Sequence, residues 1–259
     1  MPLDRSVLSA GERILLIDSK QRRYLVRLAE GDSFHSHAGL IPHDDMIGRP
    51  EGSEFRTQSN AKFLALRPTL VDHVLKMPRG AQVIYPKDIG PILLHADIFP
   101  GARVLESGVG SGAMSTALLR AGAIVTGYEI RDDFADVAKE NVESFLGPEA
   151  LDRYDVQLRS IYQGIDGGPY DRVILDLPEP WHVIEHLPGQ LLPGGILLAY
   201  TPSIAQVMHL RDALDDGPFA MIETLEVLQR GWYVNGQAVR PDHRMVGHTG
   251  FLTHARHLG

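Results

Sequence analysis

Three closely spaced glycines follow an acidic residue near the middle of the chain, a combination that could bind a nucleotide-type ligand. An apolar segment leads into Glu106, and an apolar, helix-forming run follows the last glycine. The pattern predicts a buried strand, a tight turn and the start of a helix. Because glycine has no Cβ atom, such a turn lets backbone N–H groups come close to a bound molecule. The predicted cofactor-binding residues of this segment are Glu106, Gly108, Val109, Gly110, Ser111, Gly112 and Ala113.

A second carboxylate, Glu129, stands where a ribose could be bound. It follows an apolar strand-like segment and falls about twenty residues beyond the first glycines, the distance at which a carboxylate can accept hydrogen bonds from both ribose hydroxyls. The alternative is a helix-capping or solvated glutamate. The position at a strand end favours the ribose interpretation.

Two cofactor classes remain compatible with the glycine turn. The segment from Gly108 to Ala113 satisfies the G-x-G-x-x-A pattern of dinucleotide-binding oxidoreductases, and that pattern by itself is weakly specific. The preceding carboxylate, Glu106, suits a cationic ligand better than a pyrophosphate on a helix N-terminus. S-adenosylmethionine carries an adenosine, a sulfonium cation and an α-amino group, and no phosphate. It is therefore the favoured cofactor, and a dinucleotide is the alternative.

Asp176 opens a proline-rich loop, Asp-Leu-Pro-Glu-Pro-Trp, after another predicted strand. The prolines fix the loop, and the carboxylate is expected to point into the pocket near the transferable methyl group. Its spacing from the next predicted helix argues against a simple capping role. A carboxylate here suits methylation of a ring nitrogen such as adenine N1, because it can orient the 6-amino group, stabilise the developing charge or take the proton.

Strands and helices alternate after residue 101, which predicts a Rossmann-like α/β domain with a mostly parallel sheet, helices on both faces and an antiparallel edge. In such sheets ligands bind at the carboxyl ends of the strands. The predicted strands are 102–106, 123–129, 155–159, 171–177 and 196–200, with tail strands at 220–234 and 246–256, and the predicted helices are 112–120, 132–146, 181–192 and 203–214.

Two smaller regions precede this domain. Residues 1–60 read as a small β domain with strands at 13–18 and 23–28, and residues 61–100 as a helical connector with helices at 68–76 and 89–97. The main domain is then 101–259. His35, His37 and His43 could suggest a metal site, but no carboxylates with ligand spacing accompany them, so no metal is expected.

Composition narrows the class of protein. The chain has 259 residues, no cysteine and a net charge of −8, so disulfides and thiolate metal sites are excluded. No apolar run approaches the length of a membrane span and the N-terminus lacks a signal-peptide pattern, so a soluble cytoplasmic protein is expected. Local basic groups could still bind nucleic acid, although charge alone favours solvated surface residues. These groups are Lys20, Arg22, Arg23, Arg27, Arg230, Arg240 and Arg244.

Four stretches together resemble a known family. They are Gln82-Val-Ile-Tyr-Pro-Lys-Asp88, Val104 to Gly112, Asp176 to Trp181, and the tail from Gln229 to Leu252, which contains Gly-His-Thr-Gly-Phe-Leu. The chain is similar, over nearly its whole length, to the bacterial tRNA (adenine-58, N1)-methyltransferases of the TrmI type. The resemblance implies a class I methyltransferase fold, S-adenosyl-L-methionine as cofactor, tRNA as substrate through adenine 58 of the T-loop, and a homotetramer.

The resemblance also implies residue roles. Asp176 would handle the target adenine. Cofactor contacts would come from Gln82, Tyr85, Phe134, Ser160 and Ile161 besides the glycine turn, Glu129 and Asp176, and contacts near the target base from Tyr200 and Trp181. Because the target base must be extruded from a folded RNA loop, stacking and phosphate contacts are needed to offset the cost, and we expect the N-terminal β domain and the tail near Arg230, Arg240 and Arg244 to supply them. Three alternatives remain: another RNA or small-molecule methyltransferase, a dinucleotide-dependent oxidoreductase, and a non-catalytic RNA-binding subunit with the same fold.

Overall fold

The computed structural model describes residues 6–80 and 82–259, so residues 1–5 of the expected N-terminal domain lie outside the described part. The chain divides into two compact units, the first ending at Met77 and the second beginning at Pro78. The predicted boundaries at 60/61 and 100/101 differ from this division. Strand 62–66 and helix 70–76 belong to the first unit, because the strand pairs within that unit's sheet.

The described part of the first unit is a small β structure with one α-helix and one short 3-10 helix, His43–Asp45. Its described strands form a four-stranded sheet in the order β2-β1-β6-β5 and a separate hairpin, β3-β4. Alternating apolar side chains of the strands make its core, with Tyr24, Phe34 and Phe63 in mutual ring contact. Its elements are β1 Arg13–Asp18, β2 Arg23–Arg27, β3 Ser33–Ser36, β4 Gly39–Pro42, β5 Glu54–Arg56, β6 Lys62–Leu66 and α1 Leu70–Lys76.

The second unit alternates strands and helices as expected from the sequence. Three short 3-10 helices, Pro148–Arg153, Ile161–Gln163 and Pro180–His186, are also described. Its other elements are α2 Pro86–His95, β7 Arg103–Ser107, α3 Ala113–Arg120, β8 Ile124–Glu129, α4 Asp132–Leu146, β9 Tyr154–Leu158, β10 Tyr170–Asp176, β11 Leu191–Thr201, α5 Ile204–Asp215, β12 Phe219–Glu226, β13 Trp232–Asn235, β14 Ala238–Pro241 and β15 Phe251–His257.

The described strands of this unit form a seven-stranded sheet in the order β12-β15-β11-β10-β7-β8-β9. Strands β7 to β11 are parallel, and β15 runs antiparallel to both of its neighbours. This confirms the mostly parallel Rossmann-like sheet. The antiparallel strand, β15, is not at the edge as expected but second from it, because β12 pairs with its outer side. Chain order turns back between β7 and β10, so their carboxyl ends flank the crevice where ligands bind in such sheets.

Three predicted elements were wrong in extent. The strand expected at 246–256 begins only at Phe251. The helix expected at 181–192 is a short 3-10 helix that ends at His186, because Pro188 and Gly189 follow and β11 already begins at Leu191. The strand expected at 220–234 stops at Glu226. Its last part belongs to the hairpin β13-β14, for which the turn signal Asn235-Gly236 was present in the sequence.

None of the helices within residues 6–80 and 82–259 has both the length and the apolar character that a bilayer span requires.

Candidate active site

The glycine turn lies across the carboxyl ends of β7 and β10. At Gly108 the backbone has φ +86°, and a Cβ atom there would overlap the carbonyl oxygen of Asp176. A Cβ atom at Gly112 would lie 3.0 Å from Ala138 of α4. The glycines thus allow two close approaches, one to the end of β10 and one to the neighbouring helix. The turn therefore sits against the residue expected to perform the chemistry.

A small cavity opens at this place. The segment before α2, the glycine turn, the first turn of α3 and the end of β10 surround it. The structure thus brings together the predicted residues Gln82 and Asp176 with most of the predicted turn. The lining residues are Gln82, Val83, Ile84, Gly108, Val109, Gly110, Ser111, Ala113, Met114 and Asp176.

Glu129 is fixed at the end of β8 by three backbone amides. Its Oε2 accepts from Gly110 N at 2.9 Å, and its Oε1 accepts from Ile130 N at 2.8 Å and Arg131 N at 3.1 Å. Hydrogen bonds to backbone donors orient a carboxylate and leave further lone pairs free. The carboxylate is thereby held against the glycine turn, as expected for a ribose-binding residue.

Glu106 lies behind the turn and is not among the residues that line the cavity. Its side chain is 2% exposed, and Ser115 Oγ of α3 donates to its Oε2 at 2.6 Å. Burial, with smaller contributions from the charges of Asp176 and Glu129, raises the pKa of this carboxyl to about 8. Its position therefore supports α3 beneath the cavity and does not offer the carboxyl directly to a cationic ligand.

Asp176 ends β10 at the cavity wall. Burial raises the pKa of its carboxyl to about 7, so the group changes charge near neutral pH. Among the described residues, none donates a hydrogen bond to this carboxyl that could fix it in the ionised form. A partly buried carboxyl with such a pKa is suited to proton exchange with a bound molecule.

Tyr200 lies beside Asp176, because the two residues are partners in the parallel register of β10 and β11. Its hydroxyl donates to the carbonyl oxygen of Thr249 at 2.6 Å. Burial, together with the nearby charges of Asp88 and Asp176, raises the pKa of Tyr200 to about 12. The phenol is therefore neutral, and its single O–H is used in the hydrogen bond to Thr249.

Other predicted site residues lie elsewhere in the second unit. Ile161 is 2% exposed and packs in the main core, so the structure does not present it to the cavity. The Trp181 ring contacts the ring of His209 on α5 at 5.1 Å between centroids. Phe134 lies under the Arg131 guanidinium at 3.7 Å, and Ser160 precedes a short 3-10 helix.

The predicted basic residues divide into paired and exposed groups. Arg22 and Arg23 form ion pairs with Asp18 and Asp72 inside the first unit. The arginines of the tail, Arg230, Arg240 and Arg244, are exposed, and Arg240 lies over the ring of Tyr233 at 4.8 Å. Within the described ranges, no group of three or more histidine, aspartate, glutamate or cysteine side chains could hold a metal ion.

Sequence reasoning missed some of the cavity wall. The missed residues are Val83, Ile84 and Met114. Val83 and Ile84 lie between the predicted residues Gln82 and Tyr85, and this position in the sequence could have indicated that they line the cavity. Met114 follows the glycine turn in the first turn of α3. The sequence does not show whether an apolar residue at such a position lines a cavity or packs in the core.

The cavity suits S-adenosylmethionine better than a phosphate-bearing cofactor. Ser111 lines it, and its buried hydroxyl has no hydrogen-bond partner among the described residues. Two carboxylates, Glu129 and Asp176, border the turn, and Val109, Ile84 and Met114 give an apolar wall. Apolar walls with a few convergent polar groups are typical of cofactor sites, and the acidic groups favour a cation over a pyrophosphate.

Two family models match this chain. One described as tRNA methyltransferase complex GCD14 subunit matches residues 62–240, and one described as TrmI-like N-terminal matches residues 7–54. A tRNA (adenine(58)-N(1))-methyltransferase TrmI of Thermus thermophilus is 38% identical over 246 residues, which cover 94% of this chain and 96% of that protein.

Solved structures agree in fold. A structure titled SAM-dependent O-methyltransferase, from Thermotoga maritima, superposes with a TM-score of 0.92 at 32% identity, covering 98% of this chain and 96% of that one. The tRNA (m1A58) methyltransferase TrmI of Aquifex aeolicus superposes with a TM-score of 0.85 at 27% identity, covering 98% and 99% of the two chains.

Proposed function

Because this chain belongs to the TrmI family of class I methyltransferases, we propose that it transfers a methyl group from S-adenosyl-L-methionine to N1 of adenine 58 in the T-loop of tRNA. The observation that carries this function is the juxtaposition of Asp176 with the glycine turn at the β7–β10 crevice. The oxidoreductase alternative loses its support, since the family and the carboxylates beside the glycine turn both favour the methyl donor.

The cofactor would be held by the turn and its neighbours. Gln82 and the residues from Gly108 to Ser111 line the cavity, and the Glu129 carboxylate is held beside them by the hydrogen bond that it accepts from Gly110 N. When bound, S-adenosylmethionine supplies an electrophilic methyl group on its sulfonium sulfur. Tyr85, Phe134 and Ser160 stay predicted contacts of the same ligand.

Asp176 is proposed as the residue that handles the target base. When adenine N1 bonds to the methyl carbon, the bond between that carbon and the sulfonium sulfur would break and S-adenosylhomocysteine would leave, so the positive charge passes to the purine. An ionised Asp176 accepts a hydrogen bond from the 6-amino group, stabilises this charge, and can accept the amino proton once the N–C bond has formed. Its pKa of about 7 allows it to return that proton to solvent afterwards.

Tyr200 is proposed to contact the target base, because it lies beside Asp176 in the register of the sheet. A base extruded from an RNA loop loses stacking worth a few kcal/mol, and an aromatic ring at its destination offsets part of that loss. Trp181 stays a second predicted contact of the base; it lies in the same proline-rich loop as Asp176, and its ring contacts the ring of His209.

The tRNA is proposed to lie along one face of the hairpin β13-β14. Tyr233 and Arg240 are direct cross-strand partners and therefore point to the same face, where the guanidinium stacks on the ring. Aromatic and arginine side chains together form typical stacking platforms for RNA, and exposed arginines bind phosphates. Arg230 adds a further positive charge just before the hairpin. The N-terminal β domain stays a predicted second contact.

The opposite face of the hairpin supports the proposed homotetramer. Trp232 and Val234 alternate with Tyr233, so they and their partners Pro241 and Val239 share the other face. Trp232 is 59% exposed and Val234 is 67% exposed. Exposed apolar faces of this kind mark protein contacts, and light scattering of the purified protein would test the tetramer.

Methyl transfer can be tested directly. The protein is incubated with unmodified tRNA and labelled S-adenosylmethionine, and the labelled base is mapped; N1-methyladenine at position 58 is the expected product. The Asp176→Ala variant is expected to keep cofactor binding, measured by calorimetry, and to lose most turnover. An absence of transfer by the wild-type protein would support the RNA-binding alternative instead.

A further inference from the structure

A buried ion pair stands at the start of α2, outside the chemistry described so far. Lys87 Nζ lies 2.8 Å from Asp88 Oδ1 and also donates to the carbonyl oxygen of Val227 at 2.7 Å. The side chains are 5% and 0% exposed, respectively. Burying two charges is costly unless their remaining hydrogen-bonding positions are filled. The second oxygen of Asp88 therefore needs a partner, and the tail of the chain provides it.

That partner is Thr249, in the Gly-His-Thr-Gly stretch of the tail. Thr249 Oγ1 donates to Asp88 Oδ2 at 2.7 Å, across 161 positions of sequence. The carbonyl oxygen of the same residue accepts from the Tyr200 hydroxyl at 2.6 Å. A continuous chain of contacts thus runs from Lys87 through Asp88 and Thr249 to Tyr200, the neighbour of Asp176 in the sheet.

The tail also holds the face of the Tyr200 ring. A Cβ atom at Gly250 would lie 2.5 Å from Tyr200 Cζ, so the backbone of the tail packs directly on the ring. The next residue upstream of Thr249, His248, is anchored on both sides by Glu226 Oε1 at 2.7 Å and the carbonyl oxygen of Pro202 at 2.8 Å. The ring and hydroxyl of Tyr200 are therefore fixed by one short, doubly anchored segment.

We propose that Asp88, acting through Thr249, is a positioning residue that fixes Tyr200 and thereby places the target base against Asp176. This inference rests on the proposed role of Tyr200 in base binding. The buried ion pair would then have a structural role in the site. The Asp88 carboxylate accepts the hydrogen bond from Thr249 Oγ1, and this contact fixes the Thr249 carbonyl oxygen that orients the Tyr200 hydroxyl. Misplacement of a reacting base by about 1 Å lowers the rate about a hundredfold. Loss of the hydrogen bond between Thr249 and Asp88 is therefore expected to lower turnover.

The matched variants are Thr249→Val, which loses the hydroxyl and keeps the shape, and Thr249→Ser, which restores the hydroxyl. At saturating tRNA and cofactor, Thr249→Val is expected to lower kcat by about 10- to 100-fold, with the Kd for S-adenosylmethionine unchanged. Thr249→Ser is expected to recover most of the rate. Thr224→Val serves as control, because it breaks a threonine pair between β12 and β15 without touching Tyr200.

A double-mutant cycle with Tyr200→Phe separates positioning from general stabilisation. If Asp88 and Thr249 act through the Tyr200 hydroxyl, Thr249→Val has no further effect on kcat in the Tyr200→Phe background. Independent, multiplying losses would overturn the proposal, and so would a Tyr200→Phe enzyme with the wild-type rate, even where Thr249→Val fails to fold. An inactive wild-type protein would instead reject the proposed function.

Discussion

At the scale of single residues, the candidate site depends on three carboxyl groups in different environments. Glu129 is fixed by backbone amides, Glu106 is buried behind the glycine turn, and Asp176 faces the cavity. Burial raises the pKa of Glu106 to about 8 and that of Asp176 to about 7. Only Asp176 combines a shifted pKa with access to a ligand, which makes it the candidate for proton exchange.

The activity is expected to rise with pH through about 7, because the ionised Asp176 is the form that accepts the amino proton. The measurement is kcat/KM for methyl transfer between about pH 5.5 and 8.5. An Asp176→Asn variant should lose most activity and show no such step. A step of unchanged position in that variant would assign the titration to another group.

The raised pKa of Asp176 also determines how the free energy of unfolding changes with pH. The folded pKa of Asp176 lies above the ordinary value of 3.8, so the folded protein retains a proton that the unfolded chain has lost. Stability from this group therefore falls as the pH rises between about 4 and 7, and this loss is absent in Asp176→Asn.

At the scale of elements, the glycine turn and the tail segment both derive their roles from contacts with other strands. Gly108 meets the end of β10, whereas a Cβ atom at Gly101, which has the same φ of +86°, would meet no heavy atom within 4 Å. Both have positive φ, but only Gly108 is crowded by another element. This difference allows the conformational and the packing requirements of Gly108 to be separated.

Gly108→Ala is expected to weaken S-adenosylmethionine binding by at least tenfold, because the added methyl group displaces the turn from Asp176. Gly101→Ala is the matched control, because Gly101 has the same φ of +86° and lies outside the cavity; its cost should be confined to the free energy of unfolding, about 1–2 kcal/mol, with cofactor binding unchanged. Calorimetric titration with the cofactor measures both. Equal losses in the two variants would argue against a special role for the Gly108 contact.

The tail anchor should respond to pH. Both neighbours of the His248 ring are acceptors, so the doubly protonated form is favoured, and the hydrogen bonds to Glu226 and Pro202 raise its pKa against an opposing charge on Lys87. Because the folded pKa is raised, the stabilisation is present below the unfolded value of 6.5 and is lost as the pH rises through the folded pKa.

Glu226→Gln keeps the acceptor and removes the charge. Its free energy of unfolding in urea should therefore be lower than that of the wild type at about pH 6 and converge with it at about pH 9. A difference that stays constant over this range would show that the carboxylate charge does not act on His248.

At the scale of the whole molecule, the chain is acidic, but the hairpin β13-β14 and its flanks carry several arginines, and the two faces of this hairpin differ in character. The net charge is −8, yet Arg230, Arg240 and Arg244 cluster on and around β13 and β14. Cross-strand pairing separates Tyr233 and Arg240 from the apolar face that holds Trp232. One hairpin can thereby serve two proposed contacts, with tRNA on one side and a second copy of the chain on the other.

Arg240→Ala is expected to weaken tRNA binding about fivefold to tenfold and to reduce the slope of log affinity against log salt by about 1, with cofactor binding unchanged. Arg211→Ala is the matched control, because that exposed arginine is already paired with Asp215 on α5. Filter binding at several salt concentrations measures both. Unchanged tRNA affinity in Arg240→Ala would remove the hairpin from the proposed RNA surface.

Residue types and their spacing were sufficient to predict the family, the cofactor class and the residues at strand ends. Glycines after an apolar strand, a carboxylate about twenty residues later and an aspartate after another strand are local patterns, and their positions follow from the topology of a parallel sheet. The fold class, the methyltransferase family and the cofactor are confirmed. These features depend on residue type and spacing, which the chain carries without reference to its packing.

The directions of the side chains and the contacts between distant residues depend on packing, which the local sequence patterns did not predict. Ile161 turned into the core, Trp181 packed on His209, and Glu106 lay behind the turn, since packing and not strand position sets side-chain direction. The link from Asp88 to Thr249 joins residues 161 positions apart. No local periodicity encodes such a contact, because it arises when the tail strand returns beside β11 and brings its preceding loop to Tyr200.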